Sequence, residues 1–287
     1  MSLPKRILLW GALILLSVLA DIGLFKNVLT LSLTQNFSTH IPLIPCISLF
    51  LLFRERSRIF QGAPSFSGLG FGLAAVGALV AGPWVSADLS LRVLGVLAVW
   101  VGGFLGLFGQ EIFRRALFPL LFLVLMVPIP DLVLAHIVAA LQKGSAEASA
   151  ILFKLSQTPH YRDGLSFSLP GVHIEIAPQC SSIRSSLALL ISSLLASHLL
   201  LKTFWRKTAL VLAAVLMAMI KNAIRIVVLT LLAVHVNKGW LTDSGLHQEG
   251  GIVFFILALL LLFPVFLLLR RSENKPRGGD SRSPEEQ

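Results

Sequence analysis

The chain has 287 residues, 55% of them hydrophobic and 13% charged, with a mean hydropathy of +0.84. Soluble domains carry about 25% charged residues, so a water-soluble globular protein is excluded and a polytopic membrane protein is expected. The formal net charge of +10 reflects Lys and Arg placed between apolar runs, the pattern of membrane edges rather than of a nucleic-acid surface. The two cysteines, Cys46 and Cys180, form neither a disulfide framework nor a metal-ligand spacing. No metal or cofactor is expected.

A helix needs about 20 apolar residues to cross the hydrocarbon core. The run after Lys5 and Arg6 is that long and lacks a small-x-small cleavage site, so Leu3 to Phe25 reads as a retained first span, its apolar body beginning near Ile7. Span 2, Thr39 to Phe53, is short and enters through Pro42 and Pro45, which predict a kink. Span 3, Phe66 to Val85, is rich in glycine and suited to close helix packing. Span 4 covers Leu89 to Phe108, and span 5 covers Ala116 to Ile129 before Pro130. Spans 6, 7 and 8 cover Ser182 to Leu201, Thr208 to Val236, and Gly251 to Leu269.

Between spans 5 and 6 the pattern changes twice. Asp131 to Leu155 mixes apolar residues with Gln142, Lys143, Ser145, Glu147 and Ser149, which reads as one or two amphipathic surface helices. Leu165 to Leu169 and Val172 to Ile176 then alternate about Pro170-Gly171, a β-hairpin pattern. The expected fold is an all-α polytopic membrane protein of about eight transmembrane helices with a small outer-face cap. Residues 1–271 form one membrane-embedded catalytic domain, 131–179 being the cap. Residues 272–287, polar and rich in Gly, Pro and Ser, read as a disordered cytoplasmic tail.

With the N-terminus inside, the cytoplasmic edges and tail hold 15 Lys and Arg, the outer loops hold six, and Arg184, Lys221 and Arg225 lie within spans 6 and 7. That asymmetry supports eight spans with both ends inside. Ionisable residues within a span are costly and are functional candidates.

Cys180 stands after Pro178-Gln179 and before the helix of span 6, where a helix N-terminus stabilises a thiolate. Arg184 lies one turn further on the same face. Arg225 is 17 residues beyond Thr208, or about 25 Å along a helix, which brings it to the outer boundary with Asn222 close to its face. An arginine fork suits a carboxylate or a developing oxyanion. His247 precedes Gly250-Gly251 at the entrance of span 8, on the same side, and a neutral imidazole there can take the thiol proton. His40, near the outer edge of span 2, is a weaker candidate for lining the site. Cys46 reads as a packing residue.

In these residues the sequence resembles the exosortase/archaeosortase family of membrane cysteine transpeptidases. The matching stretches are Pro-Gln-Cys180-Ser-Ser-Ile-Arg184-Ser, Asn222-Ala-Ile-Arg225-Ile, and His247 followed by Gly250-Gly251 and an apolar span. Phe37-Ser-Thr-His40-Ile-Pro-Leu-Ile-Pro and Phe118 to Pro130 add to the likeness, which runs from about Phe37 to Phe263. The resemblance implies catalytic Cys180, Arg225 and His247; Arg184 and Asn222, close to them by helical spacing, are candidates for supporting roles. It implies a thiol protease and transpeptidase for protein sorting in exopolysaccharide-producing envelopes. The enzyme would cleave the C-terminal sorting signal of exported proteins (short motif, transmembrane helix, basic end) through a thioester and transfer them to an envelope acceptor. It also implies the inner membrane, with the site on the periplasmic face. Ser182 departs from the glycine frequent there in the family. Two other readings stand beside this one. One is a non-enzymatic transporter or polysaccharide-export component with Arg184, Lys221 and Arg225 as an anion path. The other is a membrane protease that passes its acyl group to water.

Overall fold

The computed structural model describes residues 1–35, 37–85, 88–177, 183–237 and 251–274. It is mostly helical, with a small three-stranded sheet. The chain divides into two units, Met1–Leu134 and Ala135–Gln287.

The first unit contains α1 (Leu3–Ala20), α2 (Ile22–Thr34), α3 (Leu43–Arg54), α4 (Arg56–Ile59), α5 (Gly68–Ala81), α6 (Leu89–Arg115) and α7 (Leu117–Phe122). Helix α6 is its centre: two thirds of its apolar window (67%) is buried, against 6% for α1. Helices α5 and α6 meet backbone to backbone. A Cβ on Gly70 would stand 2.1 Å from the amide nitrogen of Gly106, and one on Gly102 would stand 2.5 Å from that of Ala74. In lipid, apolar residues gain nothing by avoiding the solvent, so such small-residue contacts supply the packing that joins helices. Helix α1 lies on α6 through paired indoles. Trp10 Nε1 donates to the Trp100 carbonyl at 2.9 Å, and Trp100 Nε1 donates to Ser17 Oγ at 2.7 Å.

Helix α6 breaks at Gly109, whose φ of 82° suits glycine. The break frees carbonyls that must find donors inside an apolar bundle. Ser67 N–H bonds to Gly106 O at 3.0 Å and Ser65 N–H to Phe108 O at 3.3 Å. The buried Arg6 guanidinium donates to Leu107 O and, at 2.9 Å, to Ser65 O, and it lies over the Phe66 ring. Arg6, expected as a basic edge marker, is 4% exposed and closes this break.

The second unit contains α8 (Asp131–Leu155, its first turn in unit one), β1 (Tyr161–Asp163), β2 (Ser166–Leu169), β3 (Val172–Glu175), α9 (Ile183–Leu200), α10 (Phe204–His235) and α11 (Gly251–Asn274). Leu189, Leu210, Ala214, Ala218, Ala258 and Leu262 form the core of α9, α10 and α11. The short connection between α9 and α10 is held by Glu273 at the end of α11. Its carboxylate accepts the amides of Lys202 and Thr203 and the Thr203 hydroxyl, and pairs with Arg206 at 3.3 Å. A carboxylate at the start of α10 satisfies orphan N–H groups and meets the positive end of the helix dipole.

The expected hairpin is present, with β2 antiparallel to β3 about Gly171 (φ 74°), and β1 adds a third strand in the order β1-β2-β3. Phe167 and Leu169 turn inward against Ala146 and Phe153 of α8 and Val227 of α10. Arg162 of β1 pairs with Glu147 of α8 at 2.9 Å. The segment from Asp131 to Leu155 is one continuous helix.

Among the described residues, five helices are long and apolar enough to cross a membrane, or six if the bent pair Leu117–Met126 with Asp131–Leu155 counts as one. The chain is thus a multi-pass membrane protein, but eight full-length spans are not seen among the described residues. Spans 6, 7 and 8 appear as α9, α10 and α11. Span 1 ends early because Asp21 leaves helical geometry (φ −139°, ψ 63°) and caps the separate helix α2 through Leu24 N–H. Spans 2 and 3 reduce to helices of 12 and 14 residues, or about 18 and 21 Å at 1.5 Å per residue. Span 5 reduces to the six-residue α7 and a 3-10 turn, Leu123–Met126. Cys46, expected in packing, is exposed on α3.

Candidate functional site

Three elements of the second unit converge where α10 reaches the cap. Val227 packs among the inward residues of the sheet and α8. Arg225, two residues earlier, is half-buried at the same end. One turn before it, the buried Lys221 ammonium donates to the Ser185 hydroxyl near the start of α9. Asn222 is 1% exposed and donates through Nδ2 to Ser145 Oγ of α8 at 3.0 Å.

Ser145 belongs to a polar stripe, Gln142, Ser145 and Ser149, on one buried face of α8. Spacings of three and four place them together. Gln142 Nε2 donates to the Ile176 carbonyl at 2.6 Å, just after β3. The Ser149 hydroxyl is buried without a partner among the described residues. Buried polar groups in a membrane helix are costly unless bonded, so this stripe faces α10 and the β3 exit rather than lipid.

These contacts bracket the cysteine in sequence. Cys180 and His247 both lie outside the described residues. The chain entering 178–182 is fixed by Gln142 at Ile176, four residues before Cys180. The chain leaving it is fixed by Lys221 at Ser185, five residues after Cys180. Lys221 and Asn222 stand on the helix that carries Arg225, so the flanks of the cysteine segment and Arg225 belong to one tied set of elements.

Of the residues singled out in the sequence, Arg225 and Asn222 stand on the helix whose Lys221 bonds to Ser185 near the start of α9, and Asn222 itself bonds to Ser145 of α8. Arg184 is exposed in the first turn of α9. His40 is held in the first unit by backbone groups of Phe37 and Leu125. His173 shares a hydrogen bond of 3.0 Å with Ser168 across β2 and β3, and His160 sits among Phe153 and Phe167. Gln142, Ser145 and Ser185 were not singled out as site residues. The available signal was the polar 142, 145, 149 spacing within an otherwise apolar helix. Among the described residues no group of three His, Cys, Asp or Glu side chains is arranged to hold a metal.

A family model described as transmembrane exosortase matches residues 32–264. The match covers most of the chain and every element of the tied set. The chain therefore belongs to the transmembrane exosortase family. No curated protein and no solved structure matches it.

Proposed function

We propose that the protein is a membrane cysteine transpeptidase that cleaves the C-terminal sorting signal of exported proteins and transfers them to an envelope acceptor. Family membership supports the class of activity. The observation that carries the assignment to residues is the tether on both sides of Cys180, by Gln142 and by Lys221, to the elements that hold Arg225.

In this reading the Cys180 thiolate attacks the carbonyl carbon of the scissile peptide, its proton having passed to His247. The tetrahedral oxyanion is met by the Arg225 guanidinium, whose donors suit developing negative charge. Collapse breaks the C–N bond, His247 returns its proton to the leaving amine, and a thioester remains on Cys180. An acceptor amine, hydroxyl or water then attacks that thioester and regenerates the thiolate. The substrate's own transmembrane helix, packed in the bilayer beside the enzyme, raises the effective concentration of its motif. The proposal includes the inner membrane as location and its periplasmic face as the site of reaction.

The test is co-expression with an exported protein that ends in a short motif, one apolar helix and Lys or Arg. With Cys180→Ala the precursor accumulates; processing at the normal rate by that variant refutes the nucleophile. The mass of the new C-terminus separates a free carboxylate, meaning hydrolysis, from an added acceptor, meaning transfer.

A further inference from the structure

A cavity of about 490 Å³ lies in the first unit, among the end of α1, the end of α5 and the start of α6. That volume falls within the range of small-molecule pockets, roughly 300–1,000 Å³. Its walls are apolar: Leu13 and Leu16 from α1, Ala78 from α5, Val96 and Val99 from α6. Leu16 is 64% exposed and Trp84 73% exposed, so the cavity opens at an exposed face of α1, a helix long and apolar enough to cross a membrane. Trp84, an aromatic residue of the kind that sits at the headgroup level, stands at its polar end.

That polar end holds one charged pair. Arg92 donates through Nη2 to Asp21 Oδ2 and through Nε to the Ala81 carbonyl at 3.2 Å. Asp21 Oδ1 accepts Leu24 N–H at 3.0 Å. These two bonds use Nε and Nη2 of Arg92 and leave Nη1 out. The pair is partly open, with side-chain exposures of 15% for Arg92 and 30% for Asp21. It lies at the end of the α1–α6 pairing opposite Arg6 and Leu107.

We infer that this cavity binds a zwitterionic aminophospholipid, a phosphate diester bearing a primary ammonium. The inference rests on the first unit alone and goes beyond the sorting reaction. An apolar slot open to the bilayer takes an acyl chain whatever the headgroup. The ion pair selects the headgroup. An anionic phosphate bonds the Nη1 edge of Arg92, which the bonds to Asp21 and Ala81 do not use, as guanidinium forks do. Beside it, the ammonium donates to the open lone pairs of Asp21. A purely anionic lipid meets the carboxylate with nothing to satisfy it. A quaternary ammonium has no N–H to give, so a choline headgroup forfeits that bond.

The experiment uses full-length protein in detergent, delipidated and then titrated with phosphatidylethanolamine, phosphatidylcholine or phosphatidylglycerol, with bound lipid counted by native mass spectrometry. Phosphatidylethanolamine is expected to be retained about tenfold better than the other two, the size of one charge-assisted hydrogen bond. Soluble phosphoethanolamine is expected not to bind measurably, since it lacks the chain. Leu16→Trp fills the mouth without touching the pair and is expected to lower retention of all three lipids. Asp21→Asn is expected to remove the preference for phosphatidylethanolamine while leaving chain binding in place. Equal retention of the three lipids by the unaltered protein overturns the headgroup assignment. Unchanged retention in Leu16→Trp overturns the location. Both readouts are independent of sorting activity, so a failure here leaves the proposed reaction untouched, and the reverse.

Discussion

Lys221 of α10 donates to the Ser185 hydroxyl of α9, and Lys221 is one helical turn from Arg225. A buried ammonium depends on its acceptors, and removing one costs more than the bond itself contributes. Ser185→Ala is expected to lower thermal stability in detergent by about 1–3 kcal/mol. Lys221→Met, which removes the charge but keeps the length, is expected to cost less. Equal losses in the two variants, measured by thermal unfolding, would argue against a charge left without its acceptor.

The Gln142 contact predicts an effect on rate rather than on folding. Gln142→Leu keeps the side chain's bulk but removes the donor to Ile176 O. Misplacing a reacting group by a small distance costs much of the rate, so processing of the co-expressed precursor is expected to slow by about tenfold or more. Helix content and thermal stability are expected to change little. The amount of precursor at fixed times after induction is the measurement, and an unaltered time course would remove Gln142 from the positioning role.

Arg225 can be tested by shape at constant charge. Arg225→Lys keeps the cation but loses the planar fork. A loss of about 10²-fold in processing is expected, in line with the removal of an oxyanion donor. Full activity of the lysine variant would mean that charge alone suffices.

The α5–α6 contact offers a matched pair of glycines. Gly70→Ala places a methyl group 2.1 Å from a backbone nitrogen of α6, and is expected to destabilise by about 1–3 kcal/mol. Gly72, two residues along α5, has nothing within 4 Å of its ideal Cβ position. There the same substitution is expected to be neutral or to stabilise by up to about 1 kcal/mol through helix propensity. Resistance to proteolysis in detergent distinguishes the two.

The long helices α9, α10 and α11 were legible because each is an uninterrupted apolar run bounded by charge, glycine or proline. The hairpin was legible from alternation about Pro170-Gly171. Strand β1 was not, since Tyr161–Asp163 is too short to show a period. Asp21 was read through as part of span 1. Its cap on α2 is local, but its ion-pair partner Arg92 is 71 residues away, and no local pattern reveals such a pairing. The short helices α3 and α5 looked like spans because apolar composition extends past the point where their hydrogen-bonding ends. At the site, counting residues from Thr208 placed Arg225 near the outer boundary, and in the structure it lies two residues from Val227, which packs against the sheet and α8. Ser145 and Ser185 escaped notice because serine is common in membrane helices, and only the partner across the interface marks it out.

The closure of the Gly109 break by Arg6 bears on how the protein is made. Arg6 and Leu107 are separated by 101 residues. At about 5–20 residues per second of synthesis, roughly 5–20 seconds pass between the emergence of the arginine and that of its acceptor. Before Ser65 is made the guanidinium has only the nearby Met1 carbonyl, and until Leu107 follows it lacks its buried acceptor, so it stays hydrated at the membrane surface. The first helix is therefore among the earliest parts of the chain to be translated and among the last to reach its final depth. Its seating waits on the arrival of the sixth helix.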